Sequence, residues 1–293
     1  MASDYIETSE EIVNKVIQPR HIGSHKGDNG VVAVVGGSRV FHGAPFFTSI
    51  SAARAGADMV YLAVPKLIAA SIRALTPDLI VFPLADAKLT RGAADAFLKW
   101  LPEIDSLVLG PGLGRQNLEG ARKIISQVAL ERKVRVSLDA EAQSVEMYSL
   151  LKGKDCITTP HPGEFKRVFK IDPGDSLEEK ARSVKSKAEE FGITILMKAH
   201  ESIISDGERV FVNRTGGAAM TCGGIGDTIS GVIGAFSAQA VGTSLRAVEI
   251  VAAASYAVGR AGEKAESIKG FHIVATDIIE QLPSVLKPFD KQA

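Results

Sequence analysis

The stretch GGIGDTISGVIGAF, residues 223–236, opens with three glycines and one acid, Asp227, and then turns continuously apolar. Such a stretch reads as a loop entering a buried helix. Gly223, Gly224 and Gly226 admit backbone conformations closed to other residues and let main-chain N–H groups approach a ligand with no Cβ in the way. The unsatisfied N–H groups and positive dipole end of the helix behind them suit a phosphate. Asp227, the lone carboxylate of the stretch, conflicts with that reading, because it repels a phosphate unless it serves as a base or as the partner of a metal ion. An acid in a first helical turn is also an ordinary dipole partner, so the motif alone leaves a catalytic and a structural role open. The sequence lacks the GxxxxGK[ST] pattern, which argues against ordinary P-loop chemistry.

Outward from this stretch, residues 225–241 and 245–262 read as helices rich in Ala, Val and Ile. Upstream, VVAVV (31–35), MVYLAV (59–64), LIVF (79–82), SLVL (106–109), VRVSL (134–138) and ITILM (193–197) read as strands. Several are apolar almost throughout, as expected of strands covered on both faces in a parallel sheet. Helix-like segments at 45–56, 93–100, 118–130 and 177–191 fall between them. This alternation predicts an α/β fold, with a central, mostly parallel sheet and helices on both faces. SIIS (202–205) and RVFV (209–212), joined through DGE, predict a hairpin with an Asp-Gly turn. The charged run at 175–190 reads as a solvated helix face. No low-complexity linker interrupts the chain, so a single domain over 1–293 is expected.

Lys plus Arg equals Asp plus Glu, 34 each, which leaves no broad electrostatic footprint for nucleic acid or an anionic membrane and favours a small-molecule partner. Residues 1–17 are acidic and lack the basic start and apolar stretch of a signal peptide. The apolar C-terminal segments are interrupted by Gly234, Ser237 and Gln239, and then by Arg246, Glu249 and Arg260, too soon for a membrane span. A cytoplasmic enzyme is the expectation. Cys156 and Cys222 lack CxxC spacing, against a disulfide framework or a structural zinc, and no metal ligand is assigned. Cys222 is expected to be a small buried residue rather than a reactive thiol.

In an open parallel sheet, ligands gather beyond the carboxyl ends of the strands. Five segments follow apolar runs in that way: VVAVVGGS (31–38) with FHGAP (41–45), SLVLGPGLG (106–114), VSLDAEA (136–142), ITTPHPGEF (157–165) and LMKAHES (196–202). They offer Asp139, His161, Glu164 and Lys198. Taken singly, each has a structural explanation: Asp139 as a helix cap, His161 as a surface side chain between turn-shaping prolines, Lys198 as a solvated cation. Five such signals at strand ends point to one site.

With these motifs in hand, the chain resembles the NAD(P)H-hydrate dehydratases, the YjeF C-terminal or carbohydrate-kinase-related family of the ribokinase-like superfamily. The resemblance runs over 20–286 and rests on KGDNGVVAVVGGS, HGAP, GPGLG, LDAEA, TTPHPGE, MKAHES and GGIGDTISG in that order. It implies a ribokinase-like fold and a hydro-lyase that repairs hydrated NADH or NADPH by means of a nucleotide phosphate donor. Carried over by position, Ala44, Gly112, His161 and Asp227 match substrate contacts, with Asp227 also the catalytic base. Lys198, Ala199, His200, Glu201, Ser202, Gly224 and Gly226 match the nucleotide site. The resemblance further implies Mg2+, ADP as donor, since TTPHPGE is like the ADP-using members, and a homotetramer. Residues 1–19 are then an N-terminal extension, with no epimerase region before Arg20. Two departures stand out: Glu141 replaces a second aspartate, and TGGAAMTCGGIGD replaces an asparagine-proline-glycine approach to the glycine loop. The alternatives are a kinase of the same superfamily acting on a hydroxymethylpyrimidine, thiazole or sugar, or a catalytically silent nucleotide-binding protein.

Overall fold

The computed structural model describes residues 5–114, 118–132 and 134–293. Its strands are β1 (Ile6–Glu7), β2 (Val31–Val35), β3 (Met59–Pro65), β4 (Ile80–Leu84), β5 (Ser106–Leu109), β6 (Arg135–Leu138), β7 (Cys156–Thr158), β8 (Thr194–Met197), β9 (Ser202–Ser205) and β10 (Val210–Asn213). The helices are α1 (Glu10–Val16), α2 (Gly43–Arg54), α3 (Lys66–Leu75), α4 (Arg91–Trp100), α5 (Glu119–Ile125), α6 (Val145–Leu150), α7 (Pro162–Phe169), α8 (Leu177–Phe191), α9 (Ile225–Gln239), α10 (Ala247–Lys269) and α11 (Ala275–Leu286). All ten strands join one sheet in the order β1-β10-β9-β8-β7-β6-β5-β2-β3-β4. Among them only β9 runs against the rest, pairing antiparallel with both β8 and β10.

Alternation along a strand sends side chains to opposite faces, and here it feeds two cores. Val32 and Val34 of β2 enter one with α9, α10 and α11, while Ala33 and Val35 enter the other with α4, α5 and α7. Helix α9 is buried from Thr228 to Ala238, which accounts for the unbroken apolar stretch after Asp227. Helix α8 buries only Val184 and Ala188, so its charged face is solvated as expected. Among the described residues no helix is long and apolar enough to cross a membrane.

The apolar runs become strands to within a residue or two at either end. One strand was not foreseen, β1, which at two residues is too short for a period to show; β7, three residues long, is the strand from which the ITTPHPGEF segment runs on. The helix expected over 118–130 is α5 followed by a π-helical turn at Ser126–Glu131. In the hairpin Ser205 pairs with Val210, so the connection is the four residues 206–209, with Asp206 Oδ1 accepting from the Glu208 and Arg209 N–H groups. The stretch expected as an N-terminal extension is integral from residue 6 onward. β1 pairs parallel with β10, and α1 packs against α10 with Val13 and Val16 fully in the core. The first four residues of that stretch lie outside the described residues.

The sheet reverses its order at β2, which has β3 on one side and β5 on the other. Open α/β sheets hold their ligands beyond the strands' carboxyl ends at such a switch point, and the candidate residues gather there and across the tips of β6, β7 and β8.

Candidate active site

Asp139 leaves the tip of β6 in an extended conformation and caps the short helical turn Ala140–Ala142, so the cap reading holds. The same carboxylate does more. Its Oδ1 accepts from Ala140 N (2.9 Å), Thr159 Oγ1 (2.7 Å) and Lys198 Nζ (3.1 Å), and its Oδ2 accepts from Ser230 Oγ (2.9 Å) on α9. Asp139 is 3% exposed, and burial works to raise its proton affinity. The Lys198 ammonium and the two hydroxyls outweigh that and hold the carboxyl below the usual aspartate range.

Lys198 follows β8, fixed by a bond from its own N–H to the Pro160 carbonyl (2.9 Å). It is not solvated. Burial pulls its proton affinity down, but the carboxylates of Asp139, Glu164 and Asp227 raise it further, so it stays an ammonium. Asp227, in the first turn of α9, is therefore not a lone carboxylate. Burial pushes its pKa up, the charges of Asp139 and Glu164 push the same way, and Lys198 opposes them, leaving it at about 7. A carboxyl poised there can take a proton at neutral pH and release it again.

The turn Pro160-His161-Pro162 places His161 at the cap of α7. Its Nδ1 accepts from the Gly163 and Glu164 N–H groups (3.1 and 3.3 Å), while Glu164 Oε2 accepts from His161 N (2.9 Å). That commits Nδ1 and leaves Nε2 on an exposed imidazole, 3.7 Å from Glu164 Oε2. His161, Lys198, Ala199, His200, Ser202 and Gly226 line one cleft of about 670 Å³. Its far wall is the segment from Thr215 to Cys222, and its floor includes Ile225 and Ile229 of α9.

The other residues expected at the site stand apart from this cleft. The Glu201 carboxylate turns to Arg214 (2.7 Å). Gly224 packs its bare Cα against Phe47 and Ala275, and its positive φ of 98° makes it the turn into α9. Ala44 and Gly112 meet each other instead, at the tips of β2 and β5: a Cβ on Gly112 would lie 3.1 Å from that of Ala44 and 3.0 Å from the Phe41 carbonyl. The positions expected to touch substrate thus fall in two groups, with His161 facing the cleft and Ala44 with Gly112 at the switch point. Helix α9 joins them, because Gly226 adjoins Lys198 while Gly224 rests on Phe47 of α2.

Cys222 is half-buried and lines the cleft rather than sitting in the core, and burial pushes its thiol above the ordinary value. Among the described residues no three His, Cys, Asp or Glu side chains come together as a metal site. Sequence reasoning missed Thr159 and Ser230, the hydroxyls that hold Asp139. Both lay within quoted motifs, and Ser230 stands three residues after Asp227, a spacing that puts two side chains on one helix face.

A family model for NAD(P)H-hydrate dehydratase matches residues 32–284. The chain is 46% identical over 283 residues to the ADP-dependent (S)-NAD(P)H-hydrate dehydratase of Cenarchaeum symbiosum (strain A), covering 96% of this chain and 97% of that one. It is 43% identical over 281 residues to the enzyme of the same name from Nitrosopumilus maritimus (strain SCM1), covering 96% of each. The crystal structure of an ADP/ATP-dependent NAD(P)H-hydrate dehydratase from Bacillus subtilis, co-crystallized with ATP/Mg2+, matches with a TM-score of 0.83 at 26% identity, covering 99% of this chain and all of that one. With its ribokinase-like sheet, its strand-tip motifs and these relatives, the chain belongs to the NAD(P)H-hydrate dehydratase family.

Proposed function

We propose that this chain dehydrates (S)-NAD(P)H hydrate back to NAD(P)H with ADP as phosphate donor. The observation that carries the reading is Asp227: a half-buried carboxyl with a pKa of about 7, placed in the first turn of a helix whose leading N–H groups have no carbonyl partner of their own. A phosphate bound by those N–H groups and a hydroxyl beside Asp227 make a phosphoryl-transfer site.

The substrate's ring hydroxyl is a poor leaving group. Asp227 takes its proton as the oxygen attacks the β-phosphorus of ADP, which forms the new P–O bond and releases AMP. Lys198, kept cationic by its carboxylate neighbours, balances charge beside the glycine loop. The ring nitrogen lone pair then expels inorganic phosphate, and loss of a proton from the adjacent ring carbon restores the dihydropyridine. Asp139, Thr159 and Ser230 touch no reacting atom in this scheme; they fix Lys198 and the start of α9.

Mg2+ enters this reading as the companion of the nucleotide. It takes most of its ligands from phosphates and water and only one or two carboxylates from protein, which fits a site with no cluster of three ligating side chains among the described residues. Glu164 is the carboxylate that would serve it, and the ion would neutralise phosphate charge. Ala44, Gly112 and His161 are assigned to the hydrated nicotinamide nucleotide, and Lys198, Ala199, His200, Ser202 and Gly226 to ADP, with Glu201 and Gly224 shaping that region from behind. The same reading takes the enzyme as cytoplasmic and homotetrameric; light scattering on the purified chain checks the assembly.

The test is turnover of chemically hydrated NADH and NADPH with ADP or ATP. ADP is expected to give the reduced dinucleotide, AMP and phosphate at the higher kcat/KM. A stable phosphorylated product from a pyrimidine, thiazole or sugar alcohol, with no dehydration, would instead establish the kinase reading. ATP as sole donor would remove the ADP assignment and leave the dehydratase.

A further inference from the structure

Between β10 and the glycine loop the chain runs for nine residues, 214–222, with neither helix nor strand. Seven of them, from Thr215 to Ala218 and from Met220 to Cys222, line the cleft. A strap without a ladder of its own satisfies its N–H groups piecemeal: Met220 and Thr221 donate within the strap, to the Gly217 and Ala219 carbonyls, and others reach one face of α10. Gly216 N–H donates to Glu263 Oε1 (2.9 Å), Ala219 N–H to Glu266 Oε2 (3.3 Å), and Thr215 Oγ1 to the Tyr256 carbonyl (3.2 Å). The fit is close. A Cβ on Gly217 would fall 1.6 Å from Glu266 Oε2, and one on Gly262 of α10 would fall 2.1 Å from Met220 Sδ. Arg260 pairs with Glu263 one turn earlier on the same helix.

We propose that Glu263 and Glu266 are positioning residues of the nucleotide site. Their carboxylates clamp the strap to α10, which sets one wall of the cleft and the point from which the glycine loop starts. The inference rests on the reading of that cleft as the nucleotide site. The clamp holds the strap, which lines the cleft, whereas Asp227 stands on α9 beyond it, so the clamp is expected to govern nucleotide fit more than the base. This separates it from a general structural role, which would loosen both ligands together.

The experiment measures ADP binding to the full chain by calorimetry, with kinetics alongside, for the wild type, Glu266→Ala, Glu266→Gln and Gly262→Ala. Losing a backbone partner, or lifting Met220 off α10, is expected to raise Kd and KM for ADP about tenfold. The kcat, its pH profile and the KM for hydrated NADH are expected to stay within about twofold. Glu266→Gln keeps an acceptor oxygen and is expected to restore near wild-type ADP affinity. Should Glu266→Ala fail to fold, Gly262→Ala decides, because alanine favours the helix it enters. Unchanged ADP affinity in the variants, equal weakening of both ligands, or Glu266→Gln as weak as the alanine variant overturns the proposal. A wild-type chain that binds neither ADP nor ATP overturns the nucleotide reading itself.

Discussion

Two polar clusters sit at opposite ends of the sheet, and they differ in charge balance. At the amino ends of the parallel strands, Glu249, Asp206 and Glu208 meet Lys15, Arg209 and Arg246, three acids with three bases. Burial acts to raise the Glu249 carboxyl, but bonds from Lys15, the Arg246 N–H and Arg209 hold it down to about 2. At the carboxyl ends, Asp139, Asp227 and Glu164 share Lys198. Asp139 holds the ammonium directly and stays ionised, and Asp227 carries the deficit. Cations that match the acids thus yield a stabilising network in one cluster, and a shortfall of cations leaves a poised base in the other.

Asp227→Asn removes the base from the deficient cluster and is expected to lower kcat by about 10² to 10⁴ or more, with ADP binding retained, in a steady-state assay on hydrated NADH. The same change should also stabilise the fold. A folded pKa raised from 3.8 to about 7 favours the protonated native state, so its stabilising effect is full below about pH 4 and is lost as pH rises through about 7. Denaturant unfolding should then show Asp227→Asn more stable than the wild type by about 1–4 kcal/mol above pH 7, the difference vanishing near pH 4. An unchanged stability difference across that range would break the comparison.

The balanced cluster should respond in the opposite sense. Glu249→Gln is expected to lose about 1–3 kcal/mol at neutral pH, because Lys15 and Arg209 lose their shared carboxylate, while activity per folded molecule stays unchanged. The folded pKa of Glu249 is lowered, so its contribution is present above about pH 4.5 and disappears as pH falls toward about 2. The smallest effect is assigned to His161→Ala. Loss of the imidazole Nε2 should weaken hydrated NADH about tenfold and ADP much less, with about 1 kcal/mol lost from the α7 cap. Calorimetry with ADP weakened more would move His161 to the nucleotide side.

Much of the fold was legible because it is written locally. Apolar runs marked the strands, and the alternation with helical segments marked the parallel sheet. What escaped was too short to carry a period, as β1, or atypical, as α11 with Pro283 inside it. The integration of residues 6–16 depends on pairing with β10 and packing on α10, neither of which leaves a mark near the N-terminus. At the site, the glycine loop and the strand-tip residues were legible one at a time. That Asp139, Lys198 and Ser230 converge beside Asp227 follows only from the order of β6, β7 and β8 and the seat of α9 on the sheet, as does the turning of Glu201 toward Arg214. Cys222 was misplaced for a related reason: it sits on the strap, whose course is set by α10 rather than by its own residues.

The deficit of cations around Asp227 is tested most directly by titrating its side-chain carboxyl in the ligand-free protein by carbon-13 NMR, with Asp227→Asn to assign the resonance. The expected result is a midpoint near pH 7 for Asp227, with Asp139 ionised throughout the neutral range. An Asp227 midpoint near 4, the value of an unperturbed aspartate at about 3.9, would contradict the account.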